Sequence, residues 1–261
     1  MKDIYLTIDD SPSPYTDKLV DFLDEHGIAG TFYVRGALVD ENPEPLIRAL
    51  KHGHIVGNHL YSHQRASILP FKKIVDEIEK TEHLIEYLYR QAGSSQKYKL
   101  LRFPHMDRGC GAQIVDYEAY PKYKKQLESI FLDSLNVKPA EPDKNMIEKK
   151  GNLQAYLLSK GYEQPFKGIT HGFFRHTEMV EAYDSMFTYS TGDWMLTKRH
   201  LGKWPYKSVN DLVTKMDRTL YLKDEKSADI LLIHDDRQDI LDVTKKLLEY
   251  WIDKKANFLR L

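Results

Sequence analysis

The chain has 261 residues, 41% hydrophobic and 30% charged, which suits one barrel-sized α/β domain or two small ones. A formal net charge of −1 excludes a bulk polycation built for nucleic acid or anionic membrane, and a lone cysteine, Cys110, excludes an intrachain disulfide. No apolar run of roughly 18 residues is present, so no membrane span is expected.

In chain order, residues 2–8 alternate and end on Asp9 and Asp10, which predicts a strand delivering two carboxylates at its C-terminal end. Residues 17–25 have helical spacing, with Leu19, Val20, Phe22 and Leu23 apolar and Gly27 as a stop. Residues 30–34 read as a second strand, 45–51 as a short helix and 54–56 as a third strand. Residues 71–90 carry the clearest helical stripe, through Ile74, Val75, Ile78, Leu84, Ile85 and Leu88. Residues 99–103 predict a fourth strand and 187–190 a short fifth. Residues 209–220 read as a helix. Residues 230–233 form an unbroken apolar run, suited to a strand buried on both faces. A helix over 240–251 and a closing strand over 258–261 complete the chain. Strand alternates with helix throughout, which predicts parallel βαβ units in one α/β domain over residues 1–261. The Tyr-, Lys- and Glu-rich stretch at about 110–150 reads as an inserted, partly helical subdomain. Residues 1–8 read as a strand and not as a leader. A cytoplasmic setting is therefore expected, or a periplasmic or secreted one if a leader precedes this segment.

The polar residues that need explaining all follow predicted strands: Asp9 and Asp10, His59 and His63, Arg102, Asp193, and His234. In an α/β barrel such positions converge on one mouth. Adjacent residues on a strand point oppositely, so Asp9 and Asp10 are expected to have separate partners. The same Asp-Asp-Ser-Pro-Ser-Pro run is equally good turn chemistry. His59 and His63 share a face if their segment is helical, a spacing suited to two imidazole ligands; two unrelated histidines would look the same. One acid with two histidines leaves open positions on a metal, as a catalytic site requires. Arg102 suits pairing with an aspartate. His234, at the end of an apolar strand, is either a satisfied core histidine or a general acid/base.

Taken together, Thr7-Ile8-Asp9-Asp10-Ser11-Pro12, His59 with His63, Arg102-Phe103-Pro104, Asp193-Trp194 and Leu231-Leu232-Ile233-His234-Asp235 resemble the five motifs of the polysaccharide deacetylase family (the NodB-homology domain, carbohydrate esterase family 4). The resemblance implies a distorted (β/α)7-type barrel with an insertion after the fourth strand. It implies that Asp10, His59 and His63 bind a divalent metal, usually zinc, with Co2+, Ni2+ or Mn2+ as substitutes. It casts Asp9 as general base held by Arg102, and His234 as general acid oriented by Asp193. Trp194 and Leu232 would line the pocket for the acetyl methyl, and the His105 backbone N–H would bind the oxyanion. The implied reaction is removal of an acetyl group from an N-acetylated sugar or glycan. Hydrolysis of another amide or an O-acetyl ester, and an inactive glycan-binding member of the fold, are the alternatives.

Three departures from the family pattern bear on the substrate. Ser11 stands where the family has Gly, so it is strained if that turn needs a positive φ and otherwise adds a local hydrogen bond. His105-Met106 replaces Tyr-Gly. The chain between Arg102 and Asp193 is unusually long, and residues 110–150 and 164–183 are expected to overhang the mouth, with the 110–150 insertion favouring a short or special glycan over a long polymer. Tyr117, Tyr120 and Tyr123, with Tyr98, Tyr156 and Tyr162 flanking, would then either stack on sugar faces or pack the insertion against the barrel.

Overall fold

The computed structural model describes residues 1–111, 115, 120–135 and 143–261. The elements are, in order, β1 (Asp3–Ser11), α1 (Thr16–Glu25), β2 (Gly30–Val34), α2 (Gly36–Glu41), α3 (Glu44–Lys51), β3 (Ile55–Asn58), α4 (Phe71–Ala92), α5 (Lys124–Leu135), α6 (Lys144–Ser159), α7 (Gly172–Arg175), β4 (Tyr189–Ser190), α8 (Val209–Arg218), β5 (Asp229–His234), α9 (Gln238–Asp253) and β6 (Asn257–Phe258). The apolar stripe at 71–90 becomes α4, which stops where Gly93 takes the left-handed conformation at φ 69°.

All strand pairings are parallel, in the order β3-β2-β1-β5-β4, with β6 beside the first residues of β1. The α/β barrel-type reading therefore holds, with one local difference. The fourth strand expected at 99–103 is reduced to two isolated parallel bridges, Asn58 with Leu101 and Lys99 with Tyr162. Pro104 lacks an N–H and ends that run immediately after Phe103.

Alternation along the central strands separates two environments. Ile4, Leu6 and Ile8 of β1, Phe32 and Val34 of β2, and Leu231 and Ile233 of β5 pack under the outer helices in the main core. Tyr5, Ile230 and Leu232 face the other way into a second cluster. On this inner face Thr7 Oγ1 accepts from Arg102, whose guanidinium lies 4.3 Å from the Tyr33 ring centre. Among the described residues, no helix is long and apolar enough to cross a membrane.

The described parts of 110–150 and 164–183 cover the inner face of the sheet. Leu127 and Ile130 of α5 join Phe166, Ile169, Phe173 and Phe174 in the second cluster, against Tyr5 and Leu232. So many apolar side chains bury these segments along the barrel's side. The tyrosines follow them: Tyr156 donates to Glu79 (3.0 Å), Tyr162 to Glu82 (2.8 Å), and Tyr123 stacks on His176. Tyr117 lies outside the described residues.

Candidate active site and metal centre

Parallel strands bring their C-terminal ends to one side, and register does the rest. Asp9 pairs with Tyr33 on β2 and with His234 on β5, so the first carboxylate and the last histidine are strand neighbours. The register then jumps from Asp9 to Ser11, and Asp10 takes φ 70°. This bulge overturns the expectation that the two carboxylates point to opposite faces. One extra residue re-aims Asp10, and Asp9 and Asp10 line the same cavity. Aspartate tolerates the left-handed region better than most residues. The positive φ thus falls on Asp10 and not on Ser11, whose hydroxyl instead donates to Asp235 (3.0 Å).

His59 and His63 are not on a helix. Leu60 and His63 both have φ 59°, and the segment loops back. Buried residues clasp it: Asn58 accepts from the Leu60 N–H (2.9 Å) and donates to the Ile78 carbonyl (2.9 Å). Glu77, on the buried side of α4, accepts from the Ser62 N–H (3.1 Å) and hydroxyl (2.7 Å). Sequence reasoning missed both clasps; a glutamate on the apolar face of α4 is the signal that exposes one of them.

The His59 Nδ1–H donates to the Arg102 carbonyl (2.7 Å), which leaves the Nε2 lone pair facing the aspartates, 3.8 Å from Asp10 Oδ1. His63 Nε2 lies 2.9 Å from the same oxygen. Burial holds His59 down at about 4, so it is a neutral imidazole at physiological pH. Burial pushes the Asp10 carboxyl upward, but the His63 imidazole beside it, by charge and hydrogen bonding, and more weakly the surrounding His59 and His234 hold it well below the usual carboxylate range. The donor atoms of Asp10, His59 and His63 lie within 4.8 Å of one another, and Asp10 Oδ1 is buried without a hydrogen bond. Oxygen and imidazole ligands converging around an unsatisfied carboxylate oxygen fit a divalent cation such as zinc.

Two further pairs flank this cluster. Arg102, fully buried, donates to Asp9 Oδ1 (2.8 Å), to Thr7 (2.9 Å) and to the Ser185 carbonyl (3.1 Å). On the other side His234 Nδ1–H donates to Asp193 Oδ1 (2.8 Å), while Asp193 Oδ2 accepts from the His234 N–H (2.7 Å) and from Thr244 (2.8 Å). Burial works against a charged His234, but the Asp193 carboxylate, with Asp10 and Asp9, raises it to about 10. Asp235, accepting from Thr16 (2.6 Å) and Ser11, is raised to about 7 by burial.

Asp9, Asp10, His59, His63, His105, Trp194, Leu232 and His234 line one cavity of about 400 Å³, with Arg102 and Asp193 behind Asp9 and His234. The structure thus brings together every residue singled out above. His105 adds an imidazole: its ring centre is 4.6 Å from that of His63, and burial holds it neutral, at about 3. No described residue of 110–150 or 164–183 lines the cavity, so the expected overhang is not formed by them. The walls instead include Arg35, Arg65, Arg199 and Arg237, which the sequence reading did not single out.

Residues 1–110 match the family model described as polysaccharide deacetylase. The peptidoglycan-N-acetylmuramic acid deacetylase PdaC of Bacillus subtilis (strain 168) is 42% identical over 86 residues, 33% of this chain and 18% of that protein. A chitin deacetylase of Colletotrichum lindemuthianum is 32% identical over 116 residues, 42% of this chain and 46% of that protein. The matched region spans less than half the length of either relative. A solved polysaccharide deacetylase of Bacillus cereus aligns over 100% of this chain and 92% of its own, with TM-score 0.56 and 21% identity, a likeness of fold.

Proposed function

We propose that this chain, whose residues 1–110 match the polysaccharide deacetylase family model, is a metal-dependent hydrolase removing an acetyl group from an N-acetylated sugar or glycan. One observation carries this: Asp9 and His234 are neighbours across the β1–β5 ladder, each locked by a buried partner, on either side of the Asp10-His59-His63 cluster. Binding alone requires neither lock.

Asp10, His59 and His63 would hold the cation, zinc by donor type. When bound, it supplies Lewis-acid polarisation of the acetyl carbonyl and of water. Arg102 occupies Asp9 Oδ1, so Oδ2 is left to take a proton from the attacking water. The His105 N–H donates to the oxyanion. Asp193 fixes His234 Nδ1, so the proton on Nε2 faces the cavity and passes to the nitrogen as the C–N bond breaks, giving acetate and a free amine. Leu232 and Trp194 give the acetyl methyl an apolar wall. A basic amine needs this proton more than an alcohol does, which favours amide over ester.

We read residues 1–261 as one domain with an inserted subdomain at about 110–150. In support, β6 near the end of the chain pairs with β1 at its start. Acetate release from N-acetylglucosamine oligomers by the zinc-loaded chain tests the reaction. Release is expected; no release from any N-acetylated glycan would overturn it.

A further inference from the structure

The cavity wall carries cations that the deacetylation chemistry does not use. Elsewhere in the described chain, arginines withdrawn from solvent rest on carboxylates: Arg48 on Asp17 and Asp21, Arg102 on Asp9, Arg108 on Asp184. Arg35 and Arg65 are half-buried on the cavity wall, yet neither makes a side-chain hydrogen bond or ion pair among the described residues. The Arg35 Nε is fully buried and unsatisfied. Arg199, on the wall but more exposed, is likewise unpaired among the described residues. Arg237 reaches Asp236 only at 3.5 Å.

These side chains come from different strand ends: Arg35 follows β2, Arg65 follows His63, and Arg199 and Arg237 follow Asp193 and His234. They are not there to balance the catalytic acids. Asp9 already has Arg102, and Asp10 faces His59 and His63. Among the described residues, Asp236 is the one cavity-lining carboxylate left to set against four arginines. A half-buried guanidinium without a partner is costly unless something else satisfies it, and its planar fork fits carboxylate and phosphate oxygens.

Resting on the deacetylase activity proposed above, we propose that the substrate carries an anionic group, a carboxylate or a phosphate ester, on or next to the acetylated ring, and that Arg35, Arg65 and Arg199 bind it. A cavity of about 400 Å³ is at the small end for ligand sites, so anion and acetamide must sit close together. The excess of positive charge also draws such a substrate toward the mouth.

The test is equilibrium binding of three sugars to the zinc-loaded full chain: N-acetylglucosamine, a phosphorylated N-acetylglucosamine and N-acetylmuramic acid. At least one anionic sugar should bind ~10-fold or more tightly than the neutral one, the scale of a charge-assisted hydrogen bond. Whichever anion binds better identifies the group. Arg35→Gln, Arg65→Gln and Arg199→Gln should each erode the preference, with zinc content reporting that the variants fold. Arg65→Lys and Arg199→Lys, which keep the charge without the fork, should retain part of it. Equal binding of all three sugars, or a preference that survives all three glutamine variants, overturns the proposal. Acetate release is read in parallel. Anion-selective binding without acetate upholds the subsite and removes the deacetylase activity; acetate without selectivity does the reverse.

Discussion

One strand pair, β1 and β5, carries a buried carboxylate at each end, and the two ends do different things. At the start of β5, Asp229 is set against Lys2 (2.5 Å) and His171 (2.9 Å), with a hydrogen bond from Thr188 (2.6 Å). Lys2 also donates to the carbonyls of Asp224 (2.8 Å) and Ser227 (2.7 Å). At the end of β1, Asp9 is held by Arg102 through one oxygen, and its residue lines a cavity. Burial and charge are alike at both ends; access is not. In parallel α/β folds the N-terminal ends of strands serve stability and the C-terminal ends serve chemistry.

That contrast yields predictions of decreasing size. His59→Ala with His63→Ala should abolish both metal binding and acetate release, since Asp10 alone cannot hold a catalytic cation. Metal analysis checks this, and full retention would sink the ligand set. At the other end, Lys2→Met should lower stability by about 3–5 kcal/mol, because it leaves Asp229 buried without its main counter-charge. Its folded fraction should still release acetate at a normal rate. A Lys2→Met protein that stays stable but loses activity would break the division between the two ends.

Asp193→Asn should act more subtly, through pH. His234 is raised from 6.5 to about 10, so the stability of the Asp193–His234 pair is fully present below 6.5 and is lost as pH rises through about 10. Its proton-donating form fails in the same direction. Part of the rise comes from Asp10 and Asp9, which a bound cation offsets, so the alkaline limb of the loaded protein lies below about 10. Removing the Asp193 charge should shift that limb to still lower pH. An unmoved limb would show that another group is the acid.

The convergence of the site was legible because it depends on a rule of order: polar residues placed immediately after apolar strands meet at one mouth. Its local geometry was not. Nothing in Asp9-Asp10-Ser11 announces a bulge, since the residue at φ 70° is an aspartate and not a glycine. The His59–His63 spacing puts both rings on one face if the segment is helical, but the histidines meet through a loop clasped by Asn58 and Glu77. Nor did the wall arginines stand out, being single charges on loops with no periodic pattern. In the insertion, α6 is capped by Asp143, which accepts from the Met146 N–H (2.8 Å), a readable start signal. Gly151 in its interior weakened the helical pattern.

The most direct test of the central claim, that Asp9 is the base and not a metal ligand, is to measure bound zinc and acetate release on one preparation of Asp9→Asn. Zinc should match the wild-type chain, while the rate falls by ~100-fold or more, the usual scale for losing a general base. Near-normal turnover, or loss of the zinc, would contradict the account.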